Sequence, residues 1–166
     1  MARRRHRAVL LLLSGLGLTV VGVPARGSVR LVDGSTREMS LAEPTAATVL
    51  SAVPWRSVRS HPGQRHLPVW YWSATTGGHV AYESRPELAR LLLADFDPDV
   101  VGIAAQPFLV RDADRRHVPG SLLRRVDGSV VIVNVKPAEQ LEVERVAETL
   151  AWAERVFCER GWEREV

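Results

Sequence analysis

The chain has 166 residues, 46% of them hydrophobic and 25% charged, with 12 Gly and 10 Pro; this is about one domain of ordinary globular composition and excludes collagen, coiled coil and wholesale disorder. Its single cysteine, Cys158, closes no intramolecular disulfide and builds no structural zinc site, so stability must come from packing. The net charge of +3 is a local effect, because residues 1–30 hold six Arg and no acid while residues 31–166 carry 16 basic and 19 acidic side chains, or −3; global basicity is therefore weak grounds for a nucleic-acid partner.

Arg3, Arg4, Arg5 and Arg7 precede a mostly apolar stretch over residues 8–23, closed by Val23-Pro24-Ala25. This is the pattern of a signal peptide and is short for a membrane span. The same residues also suit a start codon placed too far upstream, or an unusual N-terminal strand. Residues 1–27 are set apart as a leader; the expected location is cytoplasmic, with export as the alternative and no stable membrane association.

Residues 28–82 form the next unit. Alternation around Asp33-Gly34 predicts a small β-hairpin, followed by a loop-rich extension. Between Pro44 and Tyr82 there is no acid, while Arg56, Arg59, Arg65, His61, His66 and His79 mix with Trp55, Trp70, Tyr71 and Trp72. Arginine interleaved with aromatics suits phosphate contact and base stacking. The plainer reading is that these tryptophans pack a loop against the core.

Residues 83–166 read as the core. Ser84-Arg-Pro-Glu87 predicts a helix start, with Ser as cap, Pro in the first turn and Glu completing a capping box. Leu88, Leu91 and Leu92 mark its buried face and Asp97-Pro98 its end. Strands are predicted over 100–110, 116–125 and 129–135, with Asp127-Gly128 turning between the last two. Val130-Val-Ile-Val133 is apolar on both faces, as a central strand would be. Val143, Val146, Ala147, Leu150, Ala153 and Phe157 then repeat at helical spacing up to Gly161. Residues 162–166 begin another strand, where an α/β domain would be expected to continue. The fold class is α/β, or mixed α+β: a mixed central sheet flanked by helices, with an N-terminal hairpin and loop-rich extension.

Asn134-Val135-Lys136 ends the central strand, and alternate residues share a face, so Asn134 and Lys136 are expected to point the same way. Lys136 is the only lysine among 22 basic residues. A compact amine can hold or polarise a water where a planar guanidinium cannot. One lysine in an arginine-biased chain is also what chance supplies.

An ordered set of motifs runs from about Ser28 to the end: Gly63-Gln-Arg-His66, Tyr71-Trp-Ser-Ala-Thr-Thr-Gly77, Tyr82-Glu-Ser84, Glu87 through Asp97-Pro98, Gln106-Pro-Phe108, His117-Val-Pro119 and Val133-Asn-Val-Lys-Pro137. With the predicted sheet order, this set resembles the PD-(D/E)xK nucleases, and more closely the TnsA-like endonuclease subunits of heteromeric transposases. The resemblance implies a restriction-endonuclease-like core and Mg²⁺-dependent (or Mn²⁺-dependent) cleavage of double-stranded DNA at transposon ends. It also implies a strand-transfer transposase subunit and an ATPase regulator as partners. Matched residue by residue, Glu87 and Lys136 are the catalytic pair. Glu87, the Asn134 amide and the Val135 carbonyl are the metal ligands, and Glu83 is the fallback acid. Arg56, Arg59, Arg65, His66 and His117 are the DNA contacts. The family continues past the strand that begins at Trp162, so the C-terminus is expected to be truncated.

Two positions depart from the family. Gly120 stands where an acid should follow Pro119, and Ser121, one residue on, is expected to face the other side of its strand. Asn134 stands for the acid before x-Lys, although an amide oxygen can ligate Mg²⁺. Glu87 is left as the sole clear carboxylate, and its capping role needs no metal. Asp112, Asp114 and Asp127 read as hairpin and loop residues. The expectation is an endonuclease fold with reduced or absent cleavage. The alternatives are a non-catalytic DNA-binding or transposase-assembly module and a small secreted domain.

Overall fold

The computed structural model describes residues 10–12, 19–21, 25–39, 46–56 and 69–166. Near the start, the backbone of β1 (Leu10–Leu12) pairs antiparallel with β2 (Thr19–Val21). The predicted hairpin is present as β3 (Arg26–Arg30) and β4 (Thr36–Met39). Its turn closes because Asp33 Oδ1 accepts from the Ser35 N–H at 2.8 Å while Gly34 supplies a φ of 83°. β3 also pairs with β8 (Leu109–Arg111), which pairs with β9 (Arg116–His117). The hairpin is thus half of a four-stranded sheet, with Val29 fully buried beneath it.

The stretch read as loop-rich contains regular structure. α1 (Ala46–Leu50) is followed, after residues outside the described set, by a hairpin of β5 (Val69–Ser73) and β6 (Gly78–Tyr82). Period-2 alternation turns Tyr71 and Val80 inward and leaves Trp70 and Trp72 45% and 61% exposed. These two tryptophans do not pack a loop against the core; Trp72 meets His79 edge-on across the strands at 5.2 Å. The polar turn Ser73-Ala-Thr-Thr is gripped by one carboxylate. Asp95 accepts from Ser73 Oγ at 2.7 Å, Thr75 N–H at 2.9 Å and Ala74 N–H at 3.1 Å.

Asp95 ends α2 (Arg85–Asp95), which starts as its sequence predicts. Ser84 Oγ accepts from the Glu87 N–H, and Glu87 Oε2 accepts from the N–H of Glu83, one residue outside the usual box. Leu91 and Ala94 are its buried residues, whereas Leu92 is exposed.

Two predicted strands are each divided at a proline, which brings no N–H to a ladder. The first becomes β7 (Val100–Ala105) and, beyond Pro107, β8 in another sheet. The second becomes β9 and, beyond Pro119, β10 (Ser121–Arg125). With β11 (Val130–Val133) and β12 (Glu163–Glu165) the central sheet has the order β12-β11-β10-β7. β11 and β12 run parallel and the other pairs antiparallel. α3 (Ala138–Leu141) and α4 (Glu144–Cys158) connect β11 to β12.

Both faces of this mixed sheet are covered. Leu122, Val130 and Ile132 pack with Trp152, Ala153, Val156 and Phe157 of α4. Leu123, Val131 and Val133 pack with Leu91 and Ala94 of α2. Each large apolar side chain removed from water this way contributes roughly 1.5–3 kcal/mol, and the fully buried Phe157 stacks on Trp162 and meets Phe108 edge-on. The architecture is mixed α and β. Among the described residues, no helix is long and apolar enough to cross a membrane.

Candidate functional site

Strand parity continues past the end of β11. Val135 follows Val131 and Val133 toward α2, and Asn134 follows Val130 and Ile132 toward α4. The Asn134 N–H extends the ladder to the Glu165 carbonyl at 2.9 Å, and its side chain is 2% exposed. Asn134 Oδ1 accepts from the Gly120 N–H at 3.3 Å and lies 3.1 Å from His117 Nε2. A backbone N–H only donates, so the amide oxygen faces Gly120 and His117 must carry its proton on Nε2. The amide nitrogen, Nδ2, is left buried without a partner.

His117 packs its ring against Phe157, with centroids 6.4 Å apart. Burial pulls its pKa down to about 4; the Asn134 hydrogen bond opposes this, and the cations of Lys136, Arg56 and Arg164 add to it. His117 is therefore a largely buried, neutral residue at pH 7, and any phosphate contact it makes would come from its uncharged ring.

Glu83, Glu87, Gly120, Asn134, Val135 and Lys136 all line one hollow of about 20 Å³ between the start of α2 and the ends of β10 and β11. That volume holds about one water. Both carboxylates have structural partners. Glu87 accepts from the Glu83 N–H at 2.8 Å. Glu83 accepts from Arg56 Nη1 at 2.8 Å and from Gln106 Nε2 at 2.9 Å. Arg90, also on the lining, is held by Glu165 through two contacts of 2.5 and 2.6 Å. This fork keeps the Glu165 carboxyl below its ordinary range.

Gln106 is the site residue that residue-by-residue matching did not single out. It is buried, with a φ of 46° that side chains with a Cβ rarely adopt. Its N–H donates to the Gly120 carbonyl and its own carbonyl accepts from Trp55 N–H, each at 2.9 Å. Its Oε1 accepts from the Arg56 N–H at 3.0 Å. The available signal was its place before a proline in Gln106-Pro-Phe108.

Gly120 has a local reason of its own. A Cβ there would lie 3.0 Å from the Val133 carbonyl oxygen, so the close approach of the chain to β11 favours glycine. Ser121 lines the same hollow.

A hard divalent cation requires several free oxygen ligands. Here the Asn134 oxygen is committed to two donors, Glu83 to two others and Glu87 to the helix start, and the one orphaned atom is a donor. With the Asn134 oxygen and both Glu83 oxygens already accepting, the arrangement offers Mg²⁺ or Mn²⁺ few uncommitted oxygens beyond Glu87 Oε1 and the Val135 carbonyl, and among the described residues no cluster of three His, Cys, Asp or Glu is placed to hold a metal. Asp112 and Asp127 hold their own turns through the N–H groups of Asp114, Arg115 and Ser129. Arg59, Arg65 and His66 lie outside the described residues.

Lys136 borders two further clefts. One, of about 410 Å³, includes Ser84, Pro86, Pro137 and Gln140; the other lies on the α4 side. The sequence matches no protein-family profile, and no curated protein matches it significantly.

Proposed function

We propose that this chain is a restriction-endonuclease-like domain similar to the TnsA-like transposase subunits, which engages double-stranded DNA and cleaves it weakly or not at all. The observation that carries this reading is the convergence of Glu87, Gly120, Asn134 and Lys136 on one hollow from three separate elements. These are the positions that the motif order assigns to a nuclease site. Lys136 supplies a cation at the rim of this hollow, which suits a phosphodiester oxygen. A strand-transfer subunit and an ATPase regulator are the partners that go with this reading.

The test is nicking of supercoiled plasmid by the full chain in Mg²⁺ and in Mn²⁺, beside Gly120→Asp and Lys136→Ala, with duplex binding measured in parallel. The expected result is duplex binding without nicking by the natural chain and a gain of nicking in Gly120→Asp. Nicking by the natural chain that Lys136→Ala abolishes would establish an active enzyme instead. Absence of duplex binding in every protein sinks the reading.

A further inference from the structure

Beyond Lys136, on the α4 side of the sheet, lies a pocket of about 190 Å³ that the nuclease-like reading leaves unused. Arg56, His117, Lys136 and Arg145 line it over an apolar floor that includes Val146 and Leu150, and no carboxylate is among its lining residues. The surroundings are otherwise acidic: residues 31–166 carry a net −3, and α4 contains Glu144, Glu148 and Glu154.

The cations of the pocket are poorly compensated. Arg56 is paired with Glu83. Neither Lys136 nor Arg145 forms an ion pair among the described residues. Thr149 Oγ1 spends its proton on the Arg145 carbonyl at 2.8 Å, so the charged donors of the pocket are Lys136 and Arg145, with Arg56 shared with Glu83. They come from three separate parts of the chain, the segment after α1, the end of β11 and the first turn of α4. Such convergence of cationic donors on one apolar-floored pocket gives charge-assisted hydrogen bonds to an anion with several oxygens. Pockets for whole drug-sized ligands run to roughly 300–1,000 Å³. This one is smaller and suits a single phosphate group with its water.

We infer that the pocket bounded by His117, Lys136 and the first turn of α4 binds a phosphate group, carried by the end of a nucleic-acid strand or free in solution. The pocket shares Arg56, Val118 and Lys136 with the Glu87 hollow, and Arg145 is the donor that belongs to it alone, so the inference is tested at Arg145 and stands or falls apart from the nuclease-like reading.

The test uses the full chain and Arg145→Gln, with matched thermal unfolding to show that the variant folds. Inorganic phosphate is titrated against chloride at equal ionic strength, following the arginine Nε–H signals by NMR. Duplex binding is then compared with and without a 5′-phosphate. The expected result is saturable binding of phosphate, weakened about tenfold in Arg145→Gln, a loss of ~1.4 kcal/mol. Tighter binding of the 5′-phosphorylated duplex assigns the phosphate to a strand end. Equal binding of the two duplexes, with inorganic phosphate still saturable, assigns it to a free ion. A response to phosphate no larger than to chloride, or an unchanged affinity in Arg145→Gln, overturns the inference. Neither outcome bears on nicking or on overall duplex binding, which test the nuclease-like reading separately.

Discussion

His117 Nε2 and Asn134 Oδ1 lie 3.1 Å apart, and this contact, with the Gly120 N–H on the same oxygen, commits the amide oxygen and leaves the amide nitrogen without a partner. A position that reads in sequence as a metal-ligating oxygen is, in the fold, a buried hydrogen-bond acceptor backed by a neutral histidine.

The neutrality of His117 has a direct consequence for stability. Its folded pKa of about 4 lies below the ordinary 6.5, so between these values the unfolded chain binds a proton that the folded one refuses. The stabilisation is complete above pH 6.5 and is lost as pH falls toward 4, by about 3 kcal/mol in all. Thermal unfolding between pH 7 and pH 4 should show a falling Tm for the natural chain and a flatter profile for His117→Gln. Glu165, whose carboxyl is held below its ordinary value of 4.5, adds its loss from the lower part of this window downward, and Asp95 and Asp112, likewise lowered, add theirs below it.

Asp95 fastens the turn of the β5–β6 hairpin to the end of α2. Burial works against its charged form, but hydrogen bonds from Ser73, Thr75 and Ala74 outweigh that. Asp95→Ala leaves those donors without their carboxylate and should cost about 2 kcal/mol. Urea unfolding should show a lowered midpoint with an unchanged slope.

At Gly120 the new side chain of Gly120→Asp must displace the Val133 carbonyl by a few tenths of an ångström. The strain should lower stability by roughly 1–3 kcal/mol. The added carboxylate joins Glu83 and Glu87 on the lining of one hollow, so Mn²⁺ should raise the Tm of the variant and leave that of the natural chain unchanged. Equal shifts in both proteins would refute the account of the donor set.

Gln106→Gly separates strain from hydrogen bonding. Glycine relieves the left-handed conformation by roughly 1–2 kcal/mol, while the lost side-chain bonds to Glu83 and Arg56 cost about 1 kcal/mol each and the remaining groups lose their partners. A net loss of about 1 kcal/mol in urea unfolding is expected; a stabilised variant would show that the backbone, not the side chain, governs this position.

What the sequence determined by itself was local. Ser84 and Glu87 bound the start of α2, Asp33-Gly34 and Asp127-Gly128 set the turns, and the spacing of Leu150, Ala153 and Phe157 marks α4, because each involves residues within a turn or two of one another. Glu87, Gly120 and Lys136, which the resemblance assigns to one site, line one hollow in the fold. The tertiary structure decided the rest. The sheet to which each half of a proline-divided strand belongs, the exposure of Trp70 and Trp72, the bonds of Gln106 to Trp55, Glu83 and Gly120, and the side of the Asn134 amide that meets His117 all depend on partners distant in the chain. A hydrogen-bond acceptor can be recognised in a sequence, but which donor reaches it is a property of the folded chain.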